Sequence, residues 1–590
     1  MKTSPPLDSL PLHAAPRPRL NGAQILLQSL VESGVETIFG YPGGVVLSVY
    51  DYLPQFPIRH ILVRHEQGAV HMAEGFAKAS GKTGVALVTS GPGATNTVTG
   101  ITDAYYDSIP LVVITGNVPT TLLGGDAFQE ADIVGMTRSC TKHNISVRRV
   151  EDLAGAIKEA FYVAASGRPG PVLVDIPKDI LTGEGEFNYH ESVIDLPGYR
   201  PHETFTDTQV RQALDLLKSA KQPVMLIGGG VIGGAAHEEV LAFAERMQIP
   251  VASSLMGLGG FPYEHPLYLG YCGMHGHYWA NIAIANADVL MIVGNRLNER
   301  QTGNASRFAR NARIIHIDLD PGSLNKNVEA LIPIQGDTRN VLKAFLAQSE
   351  NIGPLEGRDA WRARIEQFKQ RRVADNGSPQ RYLKPEGVIE RLFHFLPKDA
   401  IITTEVGQHQ MWAAQYFNLS RPRSWITSGG LGTMGFGFPA AIGAQFAFPD
   451  SLVLDIAGDG SIQMTIQELA TAVDYAMPVK IAIINNGYLG MVRQWQGRFF
   501  QGESEVRMTS PDYVKLADAY GAVGFAVSQP EEVDAVIQKA YAITDRPVIM
   551  DFRVQEKADI YPWVPAGGSN DQMLMGAKTD DASAEGGPRA

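Results

Sequence analysis

Asp459 and Asn486 are the two residues whose type and spacing point most directly to chemistry. Asp459 sits in Gly458-Asp459-Gly460 and Asn486 in Asn485-Asn486. Each follows an apolar run, Leu452-Val453-Leu454 before the first and Ile481-Ala482-Ile483-Ile484 before the second. Between them Met464–Val473 carries a helical pattern, closed by Pro478. The unit reads strand–helix–strand. Parallel neighbours end side by side, where open α/β sheets bind ligands. Two side-chain oxygens there suit a hard cation, and the glycines let backbone amides approach a phosphate at a helix start. Mg²⁺ takes octahedral oxygen ligation and shares its shell with phosphates. The unit therefore reads as a metal–diphosphate cradle, with Asp459 and Asn486 as ligands and the Tyr488 carbonyl as a third. Alone, an Asp in a Gly-rich turn is ordinary turn chemistry. The pairing at two adjacent strand ends carries the argument.

The chain that must hold this cradle has 590 residues, enough for three or four domains at ~150 residues each. Strand-like runs alternate with helical patterns, which predicts an α/β fold of three doubly wound parallel sheets. The expected divisions are an extension over 1–20, domains over 21–185, 205–347 and 385–565, and a tail over 566–590. The first 20 residues hold five prolines and no apolar run, so they read as a disordered extension and not a secretory signal. Their scarcity of acids leaves a transit peptide as the alternative. Residues 579–590 are small and polar and read as disordered too. The linkers near 183–203 and 350–384 are Pro/Gly-rich and charged, respectively; the second is expected to be part-helical.

A net charge of −12 without any Lys/Arg run argues against nonspecific nucleic-acid binding. No stretch reaches the ~20 apolar residues that span a bilayer. The two cysteines, Cys140 and Cys272, are far apart, so neither a disulfide framework nor a CxxC metal site is available. The chain also holds an internal repeat. Val85–Asn117 reads strand, Gly91-Pro92-Gly93, helix, Ile109-Pro110, strand. Val453–Asn485 reads strand, Gly458-Asp459-Gly460, helix, Met477-Pro478, strand. Pro92 stands where Asp459 stands, so only the second copy kept a metal ligand.

The Gly-Asp-Gly…Asn-Asn pattern resembles the signature of thiamine diphosphate enzymes. Further stretches match in order from about Asn21 to Gly568. They include Gly40–Gly44, Arg64–Ala69, Ser90–Asn96, Ala127–Glu130, Gly167–Asp179, Gly273–Gly276, Val406–Ala414, Ser428–Ala441 and Leu489–Trp495. Together they resemble the catalytic subunits of acetohydroxyacid synthases. The resemblance implies a thiamine diphosphate-binding fold with pyrimidine-binding, FAD-binding and diphosphate-binding domains in that order.

It also implies roles. Glu66 would hold the cofactor's aminopyrimidine nitrogen and favour the tautomer that takes the thiazolium C2 proton. It would come from the partner subunit, which makes a dimer the smallest active unit. Met434 would wedge between the cofactor rings. Gly44, Val406, Gly407, Gln408, His409, Gly432, Gly458, Gly460 and Ser461 would complete the cofactor site. Gln129, Lys178 and Arg300 would line the substrate channel, where cations suit ketoacid carboxylates. Met491 and Trp495 would shape the acceptor pocket. Without the resemblance, Glu66 reads as a helix N-terminal acid, Met434 and Trp495 as core, and Lys178 and Arg300 as surface charge.

Gly228-x-Gly230-x-x-Gly233 follows a strand, but no acid stands ~20 residues on, as an NAD site would want. The resemblance points instead to a structural FAD, with contacts at Arg168, Gly228, Gly229, Met274, His275, Gly294, Arg296, Arg300, Asp318 and Asp337. One stretch departs from the family. Arg296-Leu297-Asn298-Glu299-Arg300-Gln301-Thr302-Gly303 keeps both arginines of the common Arg-Phe-Asp-Asp-Arg-Val-Thr-Gly and changes its acids. Val45, where Ala is common, narrows the channel beside Gly44.

The implied activity is decarboxylation of pyruvate and condensation of the hydroxyethyl enamine with pyruvate or 2-ketobutyrate. The products, 2-acetolactate and 2-aceto-2-hydroxybutyrate, lead to valine, leucine and isoleucine. The alternative is another thiamine diphosphate enzyme, such as a catabolic acetolactate synthase or a pyruvate oxidase. The expected cofactors are thiamine diphosphate, Mg²⁺ and FAD. The expected assembly is a cytoplasmic homodimer or homotetramer with a small regulatory subunit.

Overall fold

The computed structural model describes residues 19–201, 204–353, 355, 358–371 and 383–576. Three sheets, each of six parallel strands, organise the chain. Their central strands are apolar runs buried on both faces, as in Val453–Gly458, Val289–Val293 and Leu111–Asn117. Parallel sheets covered by helices on both sides demand such sequences.

The first sheet uses Thr37–Gly40, Arg59–Leu62, Gly84–Val88, Leu111–Asn117, His143–Ser146 and Pro171–Pro177. The third uses Ile401–Thr404, Trp425–Ile426, Val453–Gly458, Lys480–Asn485, Val523–Val527 and Val548–Arg553. Counted along the chain, both sheets have the order 2-1-3-4-6-5. The internal repeat is therefore a repeat of topology. Gly91-Pro92-Gly93 and Gly458-Asp459-Gly460 follow the third strand of their sheets, beside the fourth. The middle sheet runs 3-2-1-4-5-6, with Pro223–Ile227 and Val289–Val293 adjacent at its centre. That is the dinucleotide-binding order, and its switch point lies between those two strands.

The first and third sheets share one apolar core. Its seam is the crossing of two helices, Glu66–Ser80 and Gly437–Ala447. They meet at glycines: a Cβ on Gly443 would lie 1.9 Å from the Met72 carbonyl oxygen, and one on Gly75 would lie 2.2 Å from that of Ala440. The first helix begins with Glu66, and the second begins three residues after Met434.

Three findings differ from the sequence expectation. Met464–Val473 is not one helix but two 3₁₀ turns, Ile462–Met464 and Ile466–Glu468, ahead of a short helix, Leu469–Asp474. Thr465 breaks the run: its hydroxyl donates to the Gly435 carbonyl at 2.9 Å, while Glu468 turns inward to accept the Arg64 amide at 3.1 Å. Arg19 and Leu20, placed in the extension, form a strand that pairs with Glu184–Glu186. Residues 1–18 and 579–590, read as disordered, lie outside the described residues. Short strands such as Val251–Ser253 and Ile332–Gln335 were not apparent, because three or four residues carry too little pattern. In the second linker, the helix Arg358–Lys369 buries Trp361, whose Nε1 donates to the Pro223 carbonyl at 3.0 Å. Among the described residues no helix is long and apolar enough to cross a membrane.

Candidate functional site

A cleft of about 520 Å³ opens at the carboxyl ends of the third sheet. Val406, Gly407, Gln408, His409, Met434, Gly458, Asp459, Gly460, Ser461, Asn486, Tyr488 and Met491 line it. The cradle read from the sequence and the turn that bears Met434 thus face one space.

Asp459 is buried. Its Oδ2 accepts from Ser510 Oγ at 2.9 Å and its Oδ1 faces the Asn486 amide at 3.4 Å. Burial raises its carboxyl above the usual carboxylate range. A divalent cation at Asp459 would offset that cost. The Asp459 carbonyl is held by Tyr513 Oη at 2.8 Å and Gln463 Nε2 at 2.7 Å, which fixes the turn. Asn486 Oδ1 accepts the Tyr488 amide at 3.0 Å, and its Nδ2 faces Gln408 Oε1 at 3.4 Å. Gln408 in turn donates to Gln494 Oε1 and to the Ala558 carbonyl.

The cleft fits a metal–diphosphate group on three counts. A carboxylate and a carboxamide, with a backbone carbonyl at Tyr488 beside them, make a hard-cation donor set. Among the described residues His409 Nε2 is buried without a partner, and burial holds the ring down to about 3, hence neutral. A Cβ on Gly490 would strike Gln408 Oε1 at 2.1 Å, and one on Gly458 the His409 ring at 2.7 Å, so the walls come this close only with glycine.

Glu66 lies outside this lining. It opens its helix beside the other copy of the repeat, where Oε2 accepts from Asn96 Nδ2 at 2.9 Å and Oε1 would be 3.3 Å from a Cβ on Gly93. Gly44 has open space where a side chain would stand. Gln129 is exposed, with its backbone against Gly91, and takes a left-handed φ of 60°. Lys178 is exposed at the start of the short helix Lys178–Thr182. Neither lines the Asp459 cleft. Gly432 sits in the Met434 turn with a φ of 76°.

Arg300, Trp495 and Met491 do gather. Met491 and Trp495 are one turn apart on the helix Gly490–Phe499. The Arg300 guanidinium stands 5.5 Å from the Trp495 ring centre and reaches Met274 Sδ at 3.3 Å. Met274 leads to His275, a buried ring held down to about 4 by desolvation, whose Nδ1 donates to the Pro562 carbonyl at 3.3 Å.

The remaining predicted contacts meet at the switch point of the middle sheet. Gly228 and Gly294 end its first and fourth strands, and a Cβ on Gly228 would lie 2.3 Å from the Gly294 oxygen. Gly229 opens the short helix that follows. Asp318 ends the neighbouring strand, pushed up to about 6 by burial. Burial lowers Arg296 beside it. Arg168 reaches across from the first domain to Asp320 at 3.0 Å, a partner the sequence did not reveal. Asp337 caps the helix Thr338–Gln348 through the Arg339 and Asn340 amides. Buried Asn295 Nδ2 and His316 Nδ1 have no partner among the described residues. A glycine-lined crevice with orphaned polar atoms and flanking arginines fits a dinucleotide.

Ser510, Tyr513, Trp412 and Glu405 also build the main cleft or its supports. Ser510 and Tyr513 stand about fifty residues from Asp459 in no recognisable motif, so nothing local marked them. Glu405 adjoins the matched Val406 stretch.

Family models match three segments: the N-terminal TPP binding domain of thiamine pyrophosphate enzymes over residues 20–136, the central domain over 210–345, and the C-terminal TPP binding domain over 405–552. The fold and the cleft are those of a thiamine pyrophosphate enzyme. The acetolactate synthase isozyme 3 large subunit of Escherichia coli (strain K12) is 48% identical over 571 residues, covering 95% of this chain and 99% of that protein. The acetolactate synthase large subunit of Corynebacterium glutamicum is 48% identical, covering 97% and 94%. The probable acetolactate synthase large subunit of Methanocaldococcus jannaschii is 45% identical, covering 93% and 94%. The chain belongs to the acetolactate synthase large subunit family.

Proposed function

We propose that the protein joins two molecules of pyruvate into 2-acetolactate, and pyruvate with 2-ketobutyrate into 2-aceto-2-hydroxybutyrate. CO₂ is lost in each case. These are the first common steps toward valine, leucine and isoleucine. The observation that carries the reading is the cleft that Asp459, Asn486 and Met434 line together, in a chain of this family. Thiamine diphosphate, when bound, supplies the nucleophilic carbon that attacks the ketoacid carbonyl and absorbs the charge left by CO₂.

The chain's own residues position and shield. Asp459, Asn486 and the Tyr488 carbonyl would hold Mg²⁺. Gly458, Gly460, Ser461, Gln408 and His409 would surround the diphosphate, with Val406, Gly407 and Gly432 alongside. Met434 would enforce the bend between the rings, a contribution of orientation. Arg300 would pair with the ketoacid carboxylate, with Gln129 and Lys178 further along the channel. Met491 and Trp495 would bound the acceptor, where one methylene is worth ~1–3 kcal/mol. FAD would lie along Gly228, Gly229, Gly294, Arg296, Asp318 and Asp337, with Arg168, Met274 and His275 closing over it, in a structural role.

Glu66 would hold its proton at the cofactor ring nitrogen of a second copy's site. Two facts support this. The cleft is lined by the third domain alone. Apolar side chains stand exposed at it or beside the Met434 turn: Val492 at 50%, Met464 at 54% and Leu431 at 41%; in the first domain Phe128, next to Gln129, is 88% exposed. Such a surface suits a covering subunit. A small regulatory subunit and a cytoplasmic site of action complete the proposal.

Co-expressing Glu66→Gln with Asp459→Asn tests the arrangement. Each variant alone is expected to be nearly inactive. Random pairing makes half the dimers mixed, each with one intact site, so about a quarter of the activity should return. No recovery in dimers shown to be mixed would refute a site shared between copies.

A further inference from the structure

The turn that carries Met434 hangs from three buried side chains. Asp107 accepts the amides of Gly429 and Gly430, at 3.1 and 2.7 Å. Ser428 Oγ accepts those of Gly432 and Thr433, at 3.0 and 2.8 Å. Glu405 accepts that of Gly435 through Oε2 at 2.6 Å and that of Phe438 through Oε1 at 3.1 Å. Glu405 is fully buried and directly follows the strand Ile401–Thr404. Its next residues, Val406 and Gly407, line the cleft. One side chain thus ties the wall formed by Val406 to the turn that brings Met434 to the same cleft.

Behind Glu405 lies Asp455, also buried, with Oδ1 accepting from Thr403 Oγ1 at 2.9 Å and Oδ2 unpartnered among the described residues. Burial raises Glu405 to about 7 and Asp455 well above the carboxylate range. Two adjacent buried acids do not both ionise. A proton on Asp455 leaves both Glu405 oxygens free to accept.

We propose that Glu405 is a positioning residue for the reaction: by accepting two amides on either side of the turn's exit, it sets Met434 against the cleft. The proposal rests on the reading of that cleft as the cofactor site. A plainer role, capping the helix Gly437–Ala447, would affect stability only.

The two roles separate on chemistry rather than size. Glu405→Gln keeps the shape but points an N–H at one of two N–H donors. Glu405→Asp is shorter but offers only acceptors. Glu405→Gln should lower kcat by about 10–100-fold, the cost of a misplacement near 1 Å, with the pyruvate KM within about twofold. Glu405→Asp should retain more activity than Glu405→Gln. In the protein freed of cofactors, hydrogen–deuterium exchange should rise over 431–438 in Glu405→Gln and stay unchanged along the rest of the Gly437–Ala447 helix.

A kcat within twofold of the wild type would overturn the proposal, as would Glu405→Asp falling below Glu405→Gln. So would an exchange increase spread evenly along the helix. Should Glu405→Gln fail to fold, Glu405→Asp decides by whether kcat falls at constant KM. The exchange result does not depend on the reaction: failure of the wild type to make acetolactate would count against the proposed function and leave the tie between Glu405 and the turn to be read separately.

Discussion

Replacing Gly443 by alanine sets two opposite effects on one residue. Gly443 lies within the helix Gly437–Ala447, where alanine is favoured over glycine by ~1 kcal/mol. On propensity alone the substitution stabilises. The new methyl, however, would stand 1.9 Å from the Met72 oxygen, 2.7 Å from its carbonyl carbon and 3.0 Å from its Cα. These are backbone atoms of the Glu66 helix and cannot rotate away. A comfortable contact needs about 3.5 Å, so the helices must part by about 1.5 Å. Overpacking of a tight core costs ~1–3 kcal/mol or more. The net effect should be a loss of ~2 kcal/mol, and in the seam that joins the first and third domains. Thermal melting should show a midpoint lower by about 4–8 °C, at ~2–4 °C per kcal/mol for a unit of this size. Gly387→Ala is the control, since its helix position has nothing within 4 Å of a new Cβ and should gain from propensity. A Gly443→Ala protein that melts at or above the wild-type midpoint would refute the reasoning.

Other substitutions probe the site itself. Asp459→Asn removes the one carboxylate in the donor set and should weaken thiamine diphosphate–Mg²⁺ binding by about 100-fold, measured by calorimetric titration. Trp495→Leu should shift the 2-ketobutyrate to pyruvate preference by about tenfold or more, within the ~1–3 kcal/mol of a methylene pocket, read in a competition assay. Glu468 predicts a pH effect. Burial raises its carboxyl from 4.5 to about 7. Its contribution is therefore fully present below pH ~4.5 and is lost as pH rises through 7, by up to ~3 kcal/mol at 1.36 kcal/mol per pH unit. Denaturant unfolding at pH 6 and 8 should show Glu468→Gln losing less stability across that interval than the wild type.

Legibility in the sequence followed local pattern. The strands at the centre of each sheet were readable because both faces are buried and the runs are mostly apolar. The repeat was readable because Gly91-Pro92-Gly93 and Gly458-Asp459-Gly460 occupy the same place in one topology. The cradle residues were readable because adjacent parallel strands must end together. What stayed hidden depends on distant contacts. Thr465 and Glu468 break an apparent helix because Gly435 and the Arg64 amide, far along the chain, offer better partners. Ser510 and Tyr513 hold Asp459 from a loop without a motif. Asp320 became visible only when Arg168 was seen to reach it from another domain. Glu405 has no local signature: an acid three residues before a glutamine–histidine pair is marked only by the distant amides it accepts.

The most direct test of the account is the product formed. The purified protein is given pyruvate, with and without 2-ketobutyrate, while thiamine diphosphate, Mg²⁺ and FAD are omitted one at a time, and the products are identified by mass spectrometry. The account predicts 2-acetolactate from pyruvate alone and 2-aceto-2-hydroxybutyrate with both ketoacids, each abolished without thiamine diphosphate or Mg²⁺. Acetate formed with electron transfer to an acceptor, and no carbon–carbon bond made, would contradict it.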